Sequence, residues 1–349
     1  ANLERALPNA TRIGFTGTPT SKTERLYRDY IDSYTMRQSI DDGVTLEIIY
    51  QGFTHNAGVE DKEGMDKKFE DVFSDYNIQE RMQILGFGSR DAYLDSEDTI
   101  REKAKYMMDH YVSQIFPGGF KAQIIANSRI AAVRYKRMIE DALKAKIEEL
   151  ENNNPLSINI DRLRKVRAAV VISGDRNDEL EIKQYTDTNY HKRSIKSFKL
   201  PFDGEDEEDP TIKGDVGIII VNNMLTTGFD APIEQVLYLD RVLVAHNLLQ
   251  AITRPNRVGE EGKDFGFVVD YVGIGHHLKK AIDYYDEKQG QVDTDETDGT
   301  LSTIVNEEEF LKELKNTHAA IWDFLKKNGL TDLTDEDAFY DLFYDEDAR

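Results

Sequence analysis

Cysteine is missing from all 349 residues. Its absence excludes disulfides and thiolate chemistry, and it fits a cytoplasmic origin. No run approaches eighteen consecutive apolar residues, so no segment reads as a membrane span. The opening Ala1-Asn2-Leu3-Glu4-Arg5 lacks the basic-then-apolar plan of a signal peptide. It stands close to a structured motif, as expected for a piece of a longer protein. A phosphate-binding P-loop is missing too. Gly17-Thr18-Pro19-Thr20-Ser21-Lys22-Thr23 approaches one, but Ser21 and Thr16 stand where that signature needs glycine. No strand runs into Asp-Glu-x-His or Asp-Glu-x-Asp, the usual magnesium-holding acids.

Positive charge is scarce: 44 Lys and Arg face 66 Asp and Glu, for a net charge of -22. The excess is uneven. Residues 291–349 hold seventeen acidic and five basic side chains, and Asp203 to Asp209 form a second acidic block that reads as a solvated loop. The remainder is only mildly acidic, and no basic stripe is visible. Charge alone argues weakly against DNA.

What is present is an alternation of short Val/Ile-rich runs with helical patterning. Arg12 to Pro19 reads as a short buried strand entering a turn, and Thr45 to Tyr50 as a second strand. Residues 62–116 carry only helical spacing and read as a helical insertion, ended by Pro117-Gly118-Gly119. Strands are then expected at 121–126, 168–173, 216–221, 236–239 and 265–270, with helices at 130–151, 247–254 and 276–288. That order predicts an α/β fold with a parallel sheet and helices on both faces. An acidic helical region is expected over 289–349, after a main body at 44–288 and a leading segment at 1–43.

In such sheets ligands gather at the carboxyl ends of the strands. Asn127-Ser128-Arg129 opens a helix there, where free N–H groups, a hydroxyl and a guanidinium suit a backbone phosphate. The plainer alternative is a helix N-cap beside a surface arginine. Ser173-Gly174-Asp175 is either a similar site or an ordinary turn. Leu225-Thr226-Thr227-Gly228-Phe229-Asp230-Ala231-Pro232 offers hydroxyls for phosphate and a carboxylate for ribose hydroxyls. Gln250-Ala251-Ile252-Thr253-Arg254-Pro255-Asn256-Arg257 carries two arginines three apart, which one helix would set on one face. Guanidiniums bind phosphate bidentately and keep their charge; a salt-bridged surface pair is the alternative. His276-His277 diverge by about 100° on a helix and read as structural rather than metal-binding.

Taken in order, these segments resemble the second half of a superfamily 2 helicase motor, and more closely the motor (R) subunit of type I restriction enzymes. Thr16-Gly17-Thr18-Pro19 resembles motif III, at the end of the first RecA-like lobe, and Tyr34 to Val44 the passage between lobes. Lys121 to Arg129 resembles motif IV, Leu225 to Pro232 motif V and Gln250 to Arg257 motif VI. The resemblance spans residues 11–275 and implies a RecA-like second lobe. It implies ATP with Mg2+ held mainly by a first lobe, with Gly228 and Asp230 at the nucleotide. Arg254 and Arg257 would act as fingers on the γ-phosphate, with Gln250 coupling the lobes. Ser128, Arg129, Thr226 and Thr227 would hold the DNA backbone, and Thr16, Gly17 and Thr18 would relay nucleotide state.

The implied partners are double-stranded DNA and the methyltransferase (M) and specificity (S) subunits of a restriction complex. The implied parent activity is an ATP-hydrolysing, site-specific deoxyribonuclease. The P-loop, the magnesium acids and the amino-terminal nuclease domain with its Asp/Glu-x-Lys centre, which that family has, lie outside what the resemblance covers. The expectation is therefore a motor portion that is not catalytic alone. The alternatives are a non-catalytic RecA-like docking module, or another superfamily 2 helicase.

Overall fold

The computed structural model describes residues 9, 13–15, 31–32, 34, 36–52, 91, 94–153, 158–225, 228–243, 245–259, 262–273, 304–306, 315, 317–318, 321–322 and 325. The chain divides into two compact units, 1–303 and 304–349.

In the first unit a short helix α1 (Met36–Asp41) precedes β1 (Glu47–Gly52). Helix α2 (Glu97–His110) runs on through a π turn (Tyr111–Ile115) and a 3-10 turn (Phe116–Gly118) to β2 (Lys121–Ala126). Helices α3 (Arg129–Asn153) and α4 (Ile160–Leu163) lead to β3 (Arg167–Val171), and α5 (Leu180–Lys183) and α6 (Thr188–Lys199) to β4 (Val216–Val221). Then come β5 (Glu234–Asp240), α7 (Ala245–Ile252) and β6 (Phe265–Asp270). In the second unit the described residues include a strand, β7 (Ile304–Asn306), and isolated helical positions such as Lys315 and Leu325.

The six described strands of the first unit are all parallel, in the order β3-β4-β2-β5-β6-β1. Central β2 sets Ile124 between Ile220 of β4 and Tyr238 of β5. Every residue of β2, β4 and β5 is buried, as a sheet covered on both faces requires. Alternate residues Ala122, Ile124, Ile218, Ile220, Val236 and Tyr238 meet Met107, Tyr111, Tyr135 and Ile139 of α2, the π turn and α3. Their neighbours Ile125, Ile219, Leu237 and Leu239 face the other way. Phe198 of α6 and Leu248 and Ile252 of α7 are buried outside that first cluster.

Four expectations change. Ile13 to Phe15 lie outside any strand, with Ile13 61% and Phe15 93% exposed. A strand needs a hydrogen-bonding neighbour, and none among the described residues reaches them. Residues 97–116 are not an appendage: their apolar face is one wall of the core. The segment 304–306 is a strand within a region expected to be helical. Helix α7 ends at Ile252, before the arginines, because Pro255 cannot continue it. Residues 53–90 and 274–303 lie outside the described residues, and with them most of the insertion and the helix expected at 276–288.

A buried ion pair ties the layers together. Lys103 Nζ of α2 lies 2.5 Å from Asp240 Oδ1 at the end of β5, and Tyr135 OH of α3 donates to Asp240 Oδ2 at 2.6 Å. Both charges are fully buried, and desolvation raises the pKa of Asp240 against the opposing pull of Lys103 and Tyr135. Removing one partner strands the other. Lys103→Met should cost about 3–5 kcal/mol of unfolding free energy, and the Lys103→Met/Asp240→Asn pair distinctly less, by urea denaturation.

Candidate functional site

Parallel strands start at one edge of the sheet and end at the other, so each connection must travel the full strand length. The sequence motifs divide between the two edges accordingly.

At the carboxyl rim, Ser128 Oγ accepts from Ala131 N at 3.0 Å, which makes it the N-terminal cap of α3. Arg129 Nη1 donates to Ser173 O at 3.0 Å and pairs with Asp178 at 2.6 Å. The plainer reading of both residues therefore holds structurally: each serves the fold. Asn222 Nδ2 crosses from β4 to donate to Ala126 O and Asn127 O, both at 2.9 Å. Arg241 donates to Asn222 O and Asn223 Oδ1, and Asn127 Nδ2 reaches Asp91 and Asp95 at 3.2 and 3.1 Å. Asp91, Asp95, Asn127 and Arg241 line a polar cleft of about 330 Å³ with Ser128 and Val242.

From that rim the β4–β5 connection, residues 222–233, descends to the amino edge. Leu225 at φ 58 and Gly228 at φ 68 bracket Thr226 and Thr227, which lie outside the described residues. A left-handed leucine is strained by roughly 1–3 kcal/mol, a cost found at sites the surroundings over-determine. Thr16, Gly17 and Thr18 also lie outside the described residues.

At the amino edge the structure corrects the expected placement. A helix that follows a strand begins at the carboxyl rim, so the turn after α7 lies at the opposite edge. Leu46, just before β1, donates to Asn256 O at 2.6 Å, and Thr45 bridges to Arg257. Arg254 and Arg257 thus stand beside the starts of β1, β5 and β6, on a turn rather than on one helix face. Gly266 of β6 permits this seating, since a Cβ there would overlap the Pro255 carbonyl.

The two arginines part company. Arg254 is 4% exposed; its Nη1 donates to Phe229 O at 2.6 Å, and its guanidinium stands 5.7 Å from the Phe229 ring centre. Its Nε has no hydrogen-bond partner among the described residues. Burial lowers its pKa. Arg257 is accessible and ion-paired with Asp230, their side chains 39% and 66% exposed. Gln250 is half-buried on α7.

Three participants were not singled out from the sequence. Lys263 is buried, and its Nζ donates to Pro232 O at 2.7 Å, Glu234 O at 2.7 Å and Arg257 O at 2.9 Å. Glu234, the first residue of β5, is buried within Coulombic range of Arg254, Lys263 and Arg257. Gln123, with its amide turned to donate, reaches both Glu234 carboxylate oxygens at 3.1 and 3.2 Å. A Glu-Gln pair at the head of an apolar run was the available signal for Glu234. Lys263, between Gly262 and Asp264, offered none.

Burial pushes the Glu234 carboxyl up to about 7, against the opposing pull of Arg254, Lys263 and Arg257. The same desolvation holds the Lys263 ammonium down at about 8. For an acid whose folded pKa exceeds its unfolded one, the contribution to stability is complete below the unfolded pKa. It is lost as pH rises through the folded value. Wild type should therefore lose about 3 kcal/mol between the ordinary glutamate pKa and pH 7 through this group, and Glu234→Gln should flatten that slope in urea melts across pH.

The chain is similar to known proteins of one kind. The family described as SWI2/SNF2 ATPase matches residues 1–82, and that described as type I restriction enzyme subunit R domain 3 matches 118–273. A putative type I restriction enzyme MjaVIIIP endonuclease subunit of Methanocaldococcus jannaschii is 31% identical over 80% of this chain and 28% of its own length. The HindI endonuclease subunit of Haemophilus influenzae is 28% identical over 83% of this chain and 26% of its own length. A fragment of a putative HsdR subunit from Vibrio vulnificus superposes with a TM-score of 0.48 and 18% identity, over 75% of this chain and 40% of that one. The chain thus spans roughly a quarter of the length of these curated relatives. Among the described residues no helix is long and apolar enough to cross a membrane. With both edges of its sheet now placed, the chain carries, over residues 118–273, a type I restriction enzyme R-subunit domain.

Proposed function

We propose that this chain is the second motor lobe of an ATP-driven, DNA-translocating restriction subunit, working against a nucleotide held mainly by another lobe. The observation that carries it is the exposed Arg257–Asp230 pair, set at the edge of the sheet on a frame of buried cations. An accessible guanidinium beside a carboxylate suits one flank of a nucleotide: phosphate for the first, ribose hydroxyls for the second. Exposed pairs are worth only about 0–1 kcal/mol, so Arg257 can leave Asp230 for a phosphate at little cost. ATP, when bound, supplies the phosphoryl transfer that drives the cycle.

The finger role falls to Arg257 alone. Arg254, expected as a second finger, is committed to the Phe229 carbonyl and acts by holding the Asp230 segment in place. Gly228 precedes Asp230 by two residues and is assigned with it to the nucleotide, and Gln250 is assigned the coupling toward the other lobe. Mg2+ is assigned to the other lobe, as the family resemblance implies, and no step runs through it here.

At the opposite rim Ser128 uses its oxygen to cap α3, and its hydroxyl proton remains to donate to a DNA phosphate. Arg129, Thr226 and Thr227 complete that contact, and Thr16 to Thr18 relay nucleotide state. DNA and ATP then lie at opposite edges, joined by the β4–β5 connection. Methyltransferase and specificity subunits, a nuclease domain elsewhere in the subunit and a cytoplasmic setting belong to the same reading.

In the full-length subunit, Arg257→Ala should reduce DNA-stimulated ATP turnover by about 10³-fold or more while leaving DNA affinity largely intact. Near-normal turnover would remove the finger assignment. The 349-residue chain alone should show no steady ATP hydrolysis above background in a phosphate-release assay.

A further inference from the structure

Lys263 has an unusual position for a lysine. Its ammonium is buried, and its three protons meet three backbone carbonyls at 2.7, 2.7 and 2.9 Å. An ammonium has three donors, so its capacity is filled. The three acceptors come from different parts of the amino edge. Pro232 stands near the end of the β4–β5 connection, two residues after Asp230, Glu234 opens β5, and Arg257 itself is the third. The two exposed groups that face a nucleotide are therefore fixed to one buried point.

We infer that Lys263 is a positioning residue for the phosphoryl-transfer chemistry: it holds the Asp230 segment and the Arg257 turn in a single frame, so that the guanidinium meets the phosphate in register. The inference rests on the reading that Arg257 acts on the nucleotide. Lys263 touches neither substrate nor exposed solvent in this role. It works through the carbonyls it gathers. A backbone carbonyl buried without a donor is costly, so losing the ammonium would free three acceptors to seek water and let the turn shift. Displacements of about 1 Å at such distances from the chemistry cost on the order of 10²-fold in rate.

The charged groups around Lys263 set a readout that a passive structural lysine would not share. Glu234 faces it from β5 and Arg257 from the turn after α7, while Arg254 on that turn faces the same glutamate and Asp230 on the connection. Burial and Arg257 lower the lysine's pKa and Glu234 raises it, leaving it at about 8. Above that pH the amine keeps two protons for three carbonyls.

The test uses the full-length subunit, with Arg257→Ala beside it. Lys263→Met, which keeps the stem and removes the donors, should lower kcat for DNA-stimulated ATP hydrolysis by about 10–100-fold with KM for ATP changed far less. In the nucleotide-free protein the same variant should speed amide hydrogen exchange at residues 229–234 and 254–258 while leaving 122–126 as in wild type. Wild-type turnover should fall as pH rises through about 8. Glu234→Gln, which leaves Lys263 its hydrogen bonds but removes the facing carboxylate, should move that fall to lower pH. Wild-type kcat and exchange in Lys263→Met would overturn the inference, as would faster exchange spread through the whole sheet, or an alkaline limb that Glu234→Gln does not move. If Arg257→Ala is inactive while Lys263→Met is normal, only this inference fails. If Arg257→Ala is active, the reading beneath it fails.

Discussion

Parallel pairing is the constraint from which the rest follows. Every described strand of the first unit runs the same way, so the chain must be carried back across the sheet between one strand and the next. Helices do this elsewhere, satisfying their own backbone as they go. Between β4 and β5 only twelve residues are available, and β2 lies between the two strands. A six-residue strand is about 20 Å long; twelve residues extended reach about 40 Å but coiled as a helix only about 18 Å, so the return is too short to be made as a helix. Its carbonyls cannot turn inward to one another as a helix would. Side chains from outside meet them instead: Arg254 at Phe229, Lys263 at Pro232.

That arrangement explains why cations are buried at this edge at all. Arg254 and Lys263 each lose hydration there, and each is opposed by the charge of Arg257. Glu234 moderates both, and Gln123 from the central strand steadies Glu234 in turn. The Lys103–Asp240 pair plays the corresponding part near the other edge, where β5 ends. The same strand therefore carries a buried acid at each end, one facing α2 and α3, the other facing the turn after α7.

Much of the fold was legible from residue order. The Val/Ile runs at 121–126, 216–221 and 265–270 begin and end in the structure where the pattern put them, because buried parallel strands tolerate little else. The family was legible too, from the motifs taken in order. Their relation in space was not. Two arginines three apart promise one helix face only if the helix continues, and Pro255 stops it. Ser128 and Arg129 carry the residue types of a phosphate site, yet those same types cap helices and form ion pairs, and periodicity cannot separate the uses. Lys263 shows the limit most clearly: its role comes from three carbonyls that are distant in sequence, and backbone atoms leave no mark on composition. Likewise Ile13 and Phe15 have strand character, but a strand exists only beside another.

Gly266 has a mechanical consequence. Because a side chain there would collide with Pro255, the turn that bears Arg257 rests directly on the backbone of β6. Behind it stands a close-packed sheet, which yields very little under compression. The turn has no room to recoil. A load on the guanidinium would therefore bear on the β6 backbone directly, with no side chain between them to act as a cushion.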